Sequence, residues 1–491
     1  MQIEEIMRSE TKRQCAPSEI TDARINKLTN GNVWKVLLLY ALPLFGSAFV
    51  QQLYSLVDLL VVGNFAANGA LAVDAIGNAT VFVNILLSFA LGANNGCSVI
   101  IAKYHGKNEK KSLLETVSTA VISYSVLCLA IMVLGFALGR VGLIGLGVHS
   151  MYFDDCLYYL YVYIGSMPFV FLYNLGCGIC AALGDSKTPF LFLVISSALN
   201  VGLDLLFVWG LNIGVAGAAW ATFISQAISC VLTVFVVYRK IRAIKPIERP
   251  SKFNKSILRE LTFASVPVIM QQSFVSVGNF FVNKCINGLD ETGDAITGFT
   301  TAFKMITIAT MSMVTMSGGL TNFASQNTAA NKPERAKKGF WVILIYTIVA
   351  AVLFLALFVS LPEFFIRLFV QKDKLTLDAL NYAVRFLSIV SLFLPVVGIK
   401  VVADGLVRGC GGNLGFAVST FSDLILRVAL VYILIGVGMG FDGVCWAWVI
   451  GWAIGTLIAV VFCAFSFRKI KKSSNAALPT DMSEIKQSEC A

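Results

Sequence analysis

Two aspartates lie inside long apolar stretches of this 491-residue chain, and their chemistry needs an explanation. Asp58 is the only charged residue between Lys35 and Phe65, and Asp204 stands alone in the same way between Lys187 and Arg239. A carboxylate at bilayer depth costs a few kcal/mol or more, and such residues are rare unless they face a cavity or a partner. The two aspartates therefore predict a functional site.

Other oxygen-bearing side chains are predicted at the same depth. A rise of about 1.5 Å per helical residue places Asp58, Asp204 and Thr222 about 10–12 Å below the outer surface, with Asn200 one turn from Asp204. Two carboxylates in a low-dielectric pocket cannot both stay charged without a cation, so we expect a shared proton or a hard cation. Carboxylate, amide and hydroxyl oxygens suit Na⁺, and these four residues form the predicted Na⁺/H⁺ coupling site. The alternative that each aspartate merely hydrogen-bonds a neighbouring helix stays open.

Further candidates surround this set. Tyr159 and Tyr163 are four residues apart in the outer part of the fourth predicted helix, at a similar depth. Lys304 is predicted near mid-membrane, as an anion contact or a second proton site. Two pairs of opposite charge at helical spacing, predicted to form a structural or gating network, are Lys400 with Asp404 and Asp423 with Arg427.

The composition indicates the elements that position these residues. The chain is 57% hydrophobic and 13% charged, where a soluble protein is about a quarter charged. The apolar residues form blocks of about twenty or more, which predicts a polytopic α-helical membrane protein with the bilayer as its surroundings. The net charge of +10 lies mostly in short loops, which argues for membrane topology and against nucleic acid. We expect no cofactor and no catalytic site, because the twelve cysteines are scattered and neither histidine has a second ligand nearby.

Apolar runs predict about twelve membrane helices. Their ranges are 33–64, 72–102, 113–139, 156–183, 189–211, 214–238, 257–287, 295–326, 339–361, 379–407, 415–436 and 441–467. Basic residues concentrate in alternate loops, which predicts that both termini lie in the cytoplasm. We expect the protein in the plasma (inner) membrane. The predicted divisions are a tail over 1–30, an N-lobe over 31–238, a basic linker over 239–256, a C-lobe over 257–467 and a tail over 468–491. We expect a monomer.

The two halves repeat one another. "GVAGAAWA" at 214–221 matches "GFDGVCWA" at 440–447, and Pro43 is answered by Pro267. Each half holds about six helices and begins on the same side, so the repeats are parallel, an arrangement typical of transporters with the substrate between the halves. The alignment pairs polar residues of the first half with apolar ones of the second: Asp58 with Val282, Asn200 with Leu426, Asp204 with Leu430, and Thr222 with Trp448.

Three segments carry a family resemblance. They are "LPLFGSAFVQQLYSLVDLLVVGN", "LGDSKTPFLFLVISSALNVGLDLLFVWGLNIGVAGAAWAT" and "VRGCGGNLGF". In order and spacing they resemble the multidrug and toxic compound extrusion (MATE) family, over essentially all of the chain except its tails. The resemblance implies two pseudo-symmetric six-helix lobes forming a V, and export of drugs or metabolites in exchange for H⁺ or Na⁺.

The resemblance also implies roles for single residues. In the branch whose cation site lies in the N-terminal lobe, the matching positions are Asp58, Asn200, Asp204 and Thr222. Tyr54 and Tyr159 would line the same cavity, and Pro43 would be the point where the first helix bends. The branch with an acidic site in the C-terminal lobe fits poorly, because Val282 and Leu430 are apolar.

The function predicted from these features is cation-coupled antiport that exports small amphipathic, cationic or neutral compounds from the cytoplasm. The alternative from another transport class is a flippase of lipid-linked oligosaccharide from the same superfamily, which would use cations such as Lys304 and Lys284 in a central cavity. A membrane-embedded enzyme is a third possibility, and the sequence offers it no nucleophile–base pair or metal constellation.

Overall fold

The apolar blocks fold into helices because a chain in a bilayer must satisfy its backbone hydrogen bonds internally. The computed structural model of the protein describes residues 28–66, 69–145, 147–290, 292–369 and 376–476, in which all regular structure is helical. In these residues eleven helices are long and apolar enough to cross a membrane, or twelve if one bent pair counts as a single span. The predicted all-α, twelve-span architecture is thus confirmed.

The described residues of the first half of the chain, which we call the N-lobe, form six long helices. They are α1 (Val33–Phe65), α2 (Gly69–Gly106), α3 (Lys110–Gly145), α4 (Phe153–Ala182), α5 (Lys187–Asp204) with a π-helical continuation at Leu205–Gly210, and α6 (Val215–Ala243). A short 3₁₀ turn, Ser150–Tyr152, leads into α4. We call the end of the bundle where α1 begins the proximal end, and the opposite end the distal end.

The second half, the C-lobe, contains eight helices in its described residues. They are α7 (Lys255–Asn287), α8 (Asp294–Ala329), α9 (Pro333–Ser360), the short α10 (Pro362–Phe369), α11 (Leu377–Ser391), α12 (Leu394–Gly409), α13 (Asn413–Leu434) with a π-helical continuation at Ile435–Met439, and α14 (Phe441–Ala476). The chain of α14 finishes at the proximal end, where α1 starts.

Several predicted boundaries are wrong. The predicted helix over 379–407 is two helices, α11 and α12, which meet at 53° because Pro395 in the first turn of α12 cannot continue the preceding hydrogen-bond ladder. The predicted tail from 468 is helical as far as Ala476. Leu28 and Thr29, assigned to the N-terminal tail, are buried. The remainder of the two predicted tails, 1–27 and 477–491, lies outside the described residues.

The internal repeat is visible in the backbone. Gly214 (φ 62°, ψ −135°) precedes α6, and its repeat partner Gly440 (φ 54°, ψ −136°) precedes α14 in almost the same conformation, which favours glycine. Asparagines cap the equivalent helices α1 and α7: Asn32 accepts from the Trp34 amide, and Asn254 from the Ser256 amide. The predicted duplication therefore holds at the level of local conformation.

Helices α1 and α7 each cross from one lobe core to the other. Before Pro43, the α1 side chains of Leu37 and Tyr40 pack in an apolar cluster made mainly of C-lobe residues, whereas Val61 and Val62 near the distal end pack in an N-lobe cluster. In α7 the arrangement is reversed about its own proline: Ile257 and Leu261 join an N-lobe cluster, and Val282 and Ile286 a C-lobe cluster. In each helix the proline lies between the two environments.

Hydrogen bonds between the lobes hold the proximal end together. Asn322 of α8 accepts from Ser98 Oγ (2.8 Å) and donates to the hydroxyl of Tyr40 (3.2 Å), which itself donates to the Ala181 carbonyl. The most distal of these contacts joins the hydroxyls of Ser88 and Ser273 near mid-helix (2.7 Å). The lobes are thus closed against each other on the proximal side.

Candidate cation site

The two predicted carboxylates meet inside the N-lobe. Asp204 is the last residue of α5 before its π-helical continuation and is completely buried, whereas Asp58 on α1 is half-buried. Their carboxyl groups lie within hydrogen-bonding range of each other. Two ionised carboxylates cannot use such a contact because neither has a proton to donate. A proton or a hard cation between or beside them would relieve the repulsion.

Close contacts between α1 and α5 bring the aspartates level. At Gly46 a Cβ atom would lie 3.0 Å from a ring carbon of Phe190, so the two helices touch tightly near the proximal end. Both helices run from the proximal to the distal end, and Asp58 and Asp204 each follow this contact by about three to four turns. The π-helical turn that begins directly after Asp204 widens the helix there, a distortion frequently found at functional sites.

Helix α6 brings the predicted threonine to the same place. Ser196 on α5 donates to the backbone carbonyl of Ser225 on α6 (3.4 Å), which fixes the register of these antiparallel helices. Thr222, three residues distal of Ser225, then comes level with Asn200, and both are buried. The structure thus brings Asp58, Asn200, Asp204 and Thr222 into a level of the N-lobe that spans about two helical turns.

Polar atoms at this level lack partners. Asp58 Oδ1, both carboxylate oxygens of Asp204 and both amide atoms of Asn200 find no hydrogen-bond partner among the described residues. An unpaired buried polar group costs about 1–3 kcal/mol, so buried polar side chains are normally paired. The alternative in which each aspartate simply bonds a neighbouring helix therefore does not fit this geometry. The binding of a proton or a cation does fit this geometry, because a proton would supply a hydrogen-bond donor and a cation would be coordinated by these oxygens.

Three tyrosines adjoin the carboxylates. The rings of Tyr159 and Tyr163 are stacked on α4, with centroids 6.5 Å apart and planes at 23°. Tyr54 and Tyr159 are both within electrostatic range of Asp58 and of Asp204. Tyr159 is buried, and Tyr54 and Tyr163 are half-buried. All three tyrosines border the interior of the N-lobe, as the sequence predicts.

A column of hydroxyls was not predicted from the sequence. Ser197, Ser229 and Thr233 are buried and their hydroxyls have no partner within the described part of the chain. On α6, Ser229 and Thr233 lie on the same helix face as Thr222, closer to the proximal end. Its signal was present in the sequence as Ser and Thr residues recurring every three or four positions on one face of α6.

The C-lobe interior has a different character. Lys400 Nζ bonds Asp404 Oδ2 (3.0 Å), and Ser419 donates to the other oxygen of Asp404 (2.6 Å). Arg427 donates to Asp423 (2.6 Å), and its guanidinium lies 5.0 Å from a ring centroid of Trp448. Both predicted ion pairs are therefore present. Their acids are buried and paired, unlike those of the N-lobe.

The remaining predicted residues are placed as follows. Pro43 lies inside α1, between its two packing environments, and Lys304 is exposed on α8 without a hydrogen-bond or ion-pair partner in the described residues. In these residues no group of three or more His, Cys, Asp or Glu side chains could hold a metal. A cation in the N-lobe would thus rely on two carboxylates supplemented by neutral oxygens.

Comparison with known proteins identifies the family. The sequence profile of the MatE family matches residues 43–206 and 267–433, one segment in each lobe. The probable multidrug resistance protein YpnP of Bacillus subtilis (strain 168) is 26% identical over 424 residues, covering 84% of this chain and 93% of that protein. The multidrug export protein MepA of Staphylococcus haemolyticus (strain JCSC1435) is 20% identical and covers 94% of this chain and 99% of its own length.

Solved structures share the fold. A multidrug resistance MATE family transporter of the MOP superfamily in its outward-facing conformation superposes with a TM-score of 0.83 at 19% identity, over 91% of this chain and 98% of that one. A MATE structure in complex with MaL6 superposes with a TM-score of 0.84 at 20% identity, over 91% and 99% of the two chains. The profile match in both lobes, the repeated backbone and these neighbours lead to one conclusion: this multi-pass membrane protein belongs to the MATE family of transporters.

Proposed function

We propose that this protein is a cation-coupled antiporter that exports small amphipathic compounds from the cytoplasm. The observation that carries the proposal is the contact between Asp58 and Asp204, which lack donors in the described structure. Relatives named as multidrug export and multidrug resistance proteins support the export of drugs or metabolites. The branch with its cation site in the N-lobe is the one whose positions match.

Either H⁺ or Na⁺ can satisfy this pair of carboxylates. A proton gives one aspartate a donor for the other, and Na⁺ would be held by Asp58, Asp204 and the neutral oxygens of Asn200 and Thr222. Both choices remove the repulsion between two buried negative charges. The coupling ion is therefore a substrate that enters and leaves with each transport cycle.

Helix α1 provides a physical link between the ion and the closure of the lobes. Asp58 lies distal of Pro43, whereas Tyr40 lies proximal of it and belongs to the contacts that join the lobes. Proline removes one backbone hydrogen bond and so lowers the cost of bending at this point. Neutralising the aspartates changes how the distal part of α1 packs against α5, and this change favours a bend at Pro43.

Exchange follows if ion and drug prefer opposite conformations, because a ligand shifts an equilibrium only by its differential affinity for the two states. The basic loops at the proximal end support a cytoplasmic position for that end, by the positive-inside rule. The closed proximal contacts then correspond to a state that faces away from the cytoplasm.

The test is efflux from proteoliposomes. Purified protein is reconstituted, a fluorescent aromatic cation such as ethidium is loaded, and Na⁺ and pH gradients are imposed separately. We expect one or both gradients to drive efflux by the wild type and by Asp378→Asn, an exposed control at the start of α11. Asp58→Asn and Asp204→Asn are expected to lose the ion-driven component, and full retention by both variants would refute the coupling site.

A further inference from the structure

An apolar groove runs along one face of α13. It begins at Leu414, the second residue of that helix, continues to Ala429, and encloses about 580 Å³. At about 1.5 Å per residue this stretch is about 22 Å long, whereas one leaflet of a bilayer has about 15 Å of hydrocarbon. The lining is apolar except for Ser422, and Leu414 is 78% exposed. The groove is therefore long enough and apolar enough for an acyl chain that crosses one leaflet.

A second cavity, of about 640 Å³, adjoins the proximal end of this groove. Its lining includes Asn413, the residue before Leu414, together with residues of α2 and α7. Its charged side chains are three cations and one acid: Lys103, Lys107, Arg259 and Glu260. We call this space the basic cavity. Its excess of positive charge favours an anionic ligand.

Two cations of the basic cavity are available to such a ligand. Lys103 bonds Glu260 (2.8 Å), so this lysine is already paired. Lys107 lies 3.6 Å from Glu109 in an exposed pair, and exposed pairs of this kind contribute little. Arg259 is exposed and has no ion-pair partner among the described residues. Lys107 and Arg259 can therefore both bind an anion that enters the cavity.

Helices α7 and α13 form the two sides of one crevice. They run in the same direction and touch in their distal halves, where a Cβ atom at Gly278 would lie 3.3 Å from Val428. Phe263 precedes Gly278 by as many residues as Asn413 precedes Val428, so Phe263 and Asn413 lie level, at the basic cavity. The cavity separates the helices at this level, because proximal α7 packs with the N-lobe and proximal α13 with the C-lobe. The crevice thus widens toward the proximal leaflet.

A phospholipid matches the two surfaces of this crevice together. Basic pockets between membrane helices bind anionic lipid headgroups, and the groove beside this one is lined for an acyl chain. A free anion would use the basic cavity and leave the apolar groove uncovered. An organic cation would be repelled by Lys107 and Arg259.

We propose that the crevice between α7 and α13 binds an anionic phospholipid of the proximal leaflet, with its phosphate at Lys107 and Arg259 and one acyl chain along the groove of α13. A lipid bound in this way contacts both lobes. The site lies apart from the Asp58–Asp204 pair, and the inference does not depend on the proposed ion coupling.

The test compares two lipids that differ only in the headgroup. Phosphatidylglycerol, which is anionic, and phosphatidylcholine, which is zwitterionic, are given identical acyl chains and titrated into the delipidated protein in detergent. Native mass spectrometry measures the bound lipid for the wild type, for Lys107→Gln with Arg259→Gln, and for Lys245→Gln with Arg249→Gln. The last variant removes the same charge from exposed linker residues outside the cavity and is the matched control.

We expect the wild type to bind phosphatidylglycerol more tightly than phosphatidylcholine. Removing two cations at a membrane surface should weaken phosphatidylglycerol binding on the order of 10- to 30-fold and leave phosphatidylcholine binding unchanged. The linker variant should keep the wild-type affinity for both lipids. Equal affinity of the wild type for the two lipids, or equal losses in the two double variants, would overturn the inference.

A bulky substitution tests the apolar groove. Val418→Phe fills part of the groove one turn from Leu414, and we expect phosphatidylglycerol binding to weaken by about fourfold for each methylene that is displaced. Val231→Phe makes the same change on an exposed position of α6 and should have no effect. Inorganic phosphate, added as a competitor, should not displace the lipid. Displacement by phosphate, with unchanged lipid binding in Val418→Phe, would show that the cavity takes a free anion and would overturn the lipid site.

Discussion

The two lobes share a backbone plan and differ in how they treat buried charge. In the N-lobe, Asp58 and Asp204 face each other without donors, whereas in the C-lobe Asp404 and Asp423 are each paired with a cation one turn away. The charge of a paired acid is already neutralised by its partner, whereas an unpaired acid can still bind an ion. The comparison teaches that a duplicated fold can keep its backbone conformation while only one of its two copies leaves buried acids without a counter-charge.

The largest expected effect concerns function in the N-lobe. Asp204→Asn removes one carboxylate of the pair, so the ion no longer binds differently in the two conformations. We expect ion-driven efflux to fall on the order of 10- to 100-fold, the usual range of a coupling free energy, in proteoliposomes with an imposed gradient. Thermal unfolding in detergent should stay at or above the wild-type midpoint, because a repulsive contact has been removed.

The same substitution in the C-lobe should do the reverse. Asp404→Asn removes the hydrogen-bonded ion-pair partner of Lys400, which is 6% exposed. Breaking a buried ion pair in this way costs about 3–5 kcal/mol, so we expect a lower midpoint of thermal unfolding. Ion coupling, measured per correctly folded molecule, should be retained. A stable Asp404→Asn protein that has lost coupling would show that this pair works in the transport cycle.

Removing the whole C-lobe pair sharpens the distinction. Replacing Lys400 by Met together with Asp404 by Leu eliminates both charges, and apolar replacements of buried pairs are often close to neutral. We expect stability within about 2 kcal/mol of the wild type, measured by thermal unfolding beside each single variant. A double variant as unstable as Asp404→Asn would mean that Ser419, which bonds Asp404, depends on the pair as well.

The smallest expected effect lies at the proximal end of the N-lobe. Burial raises the pKa of Asp185, but hydrogen bonds from Lys240 and Thr188 outweigh it and hold the pKa below its usual range. A lowered pKa in the folded state stabilises the fold above the unfolded-state pKa of about 4, and this stability is lost as the pH falls through the folded-state value. Asp185→Asn should cost about 1 kcal/mol at neutral pH and nothing in strong acid, as measured by unfolding at several pH values. An equal loss at every pH would assign the effect to packing.

Much of this arrangement could be predicted from the sequence. The level of Asp58 and Asp204 followed from counting residues from the helix ends, because each helix advances by a fixed rise. The repeat supplied an equivalent apolar position for each of these polar residues, which indicated that packing alone does not need them. The ion pairs of α12 and α13 followed from their spacing of four residues.

Other features could not be read from hydrophobicity. The break between α11 and α12 falls in a mainly apolar run without charged residues, so Pro395 is its main signal. The crossing of α1 and α7 between the lobe cores could not be predicted from the sequence. Apolar residues indicate that a helix is buried, but they do not indicate which helices it packs against. The hydroxyls of Ser229 and Thr233 were overlooked because such residues usually bond the preceding turn of their own helix.

The crossing of α1 and α7 from one lobe core to the other determines which parts of the molecule could move together. The parts of the molecule that could move as rigid bodies are not the two halves of the chain. The proximal segment of α1 packs with the C-lobe and is held there by Arg335, which donates to the carbonyls of Leu28, Asn30 and Gly31. The proximal segment of α7 packs with the N-lobe. Any rocking of the lobes therefore pulls on both helices at once, and Pro43 and Pro267 lie where each helix passes from one moving body to the other.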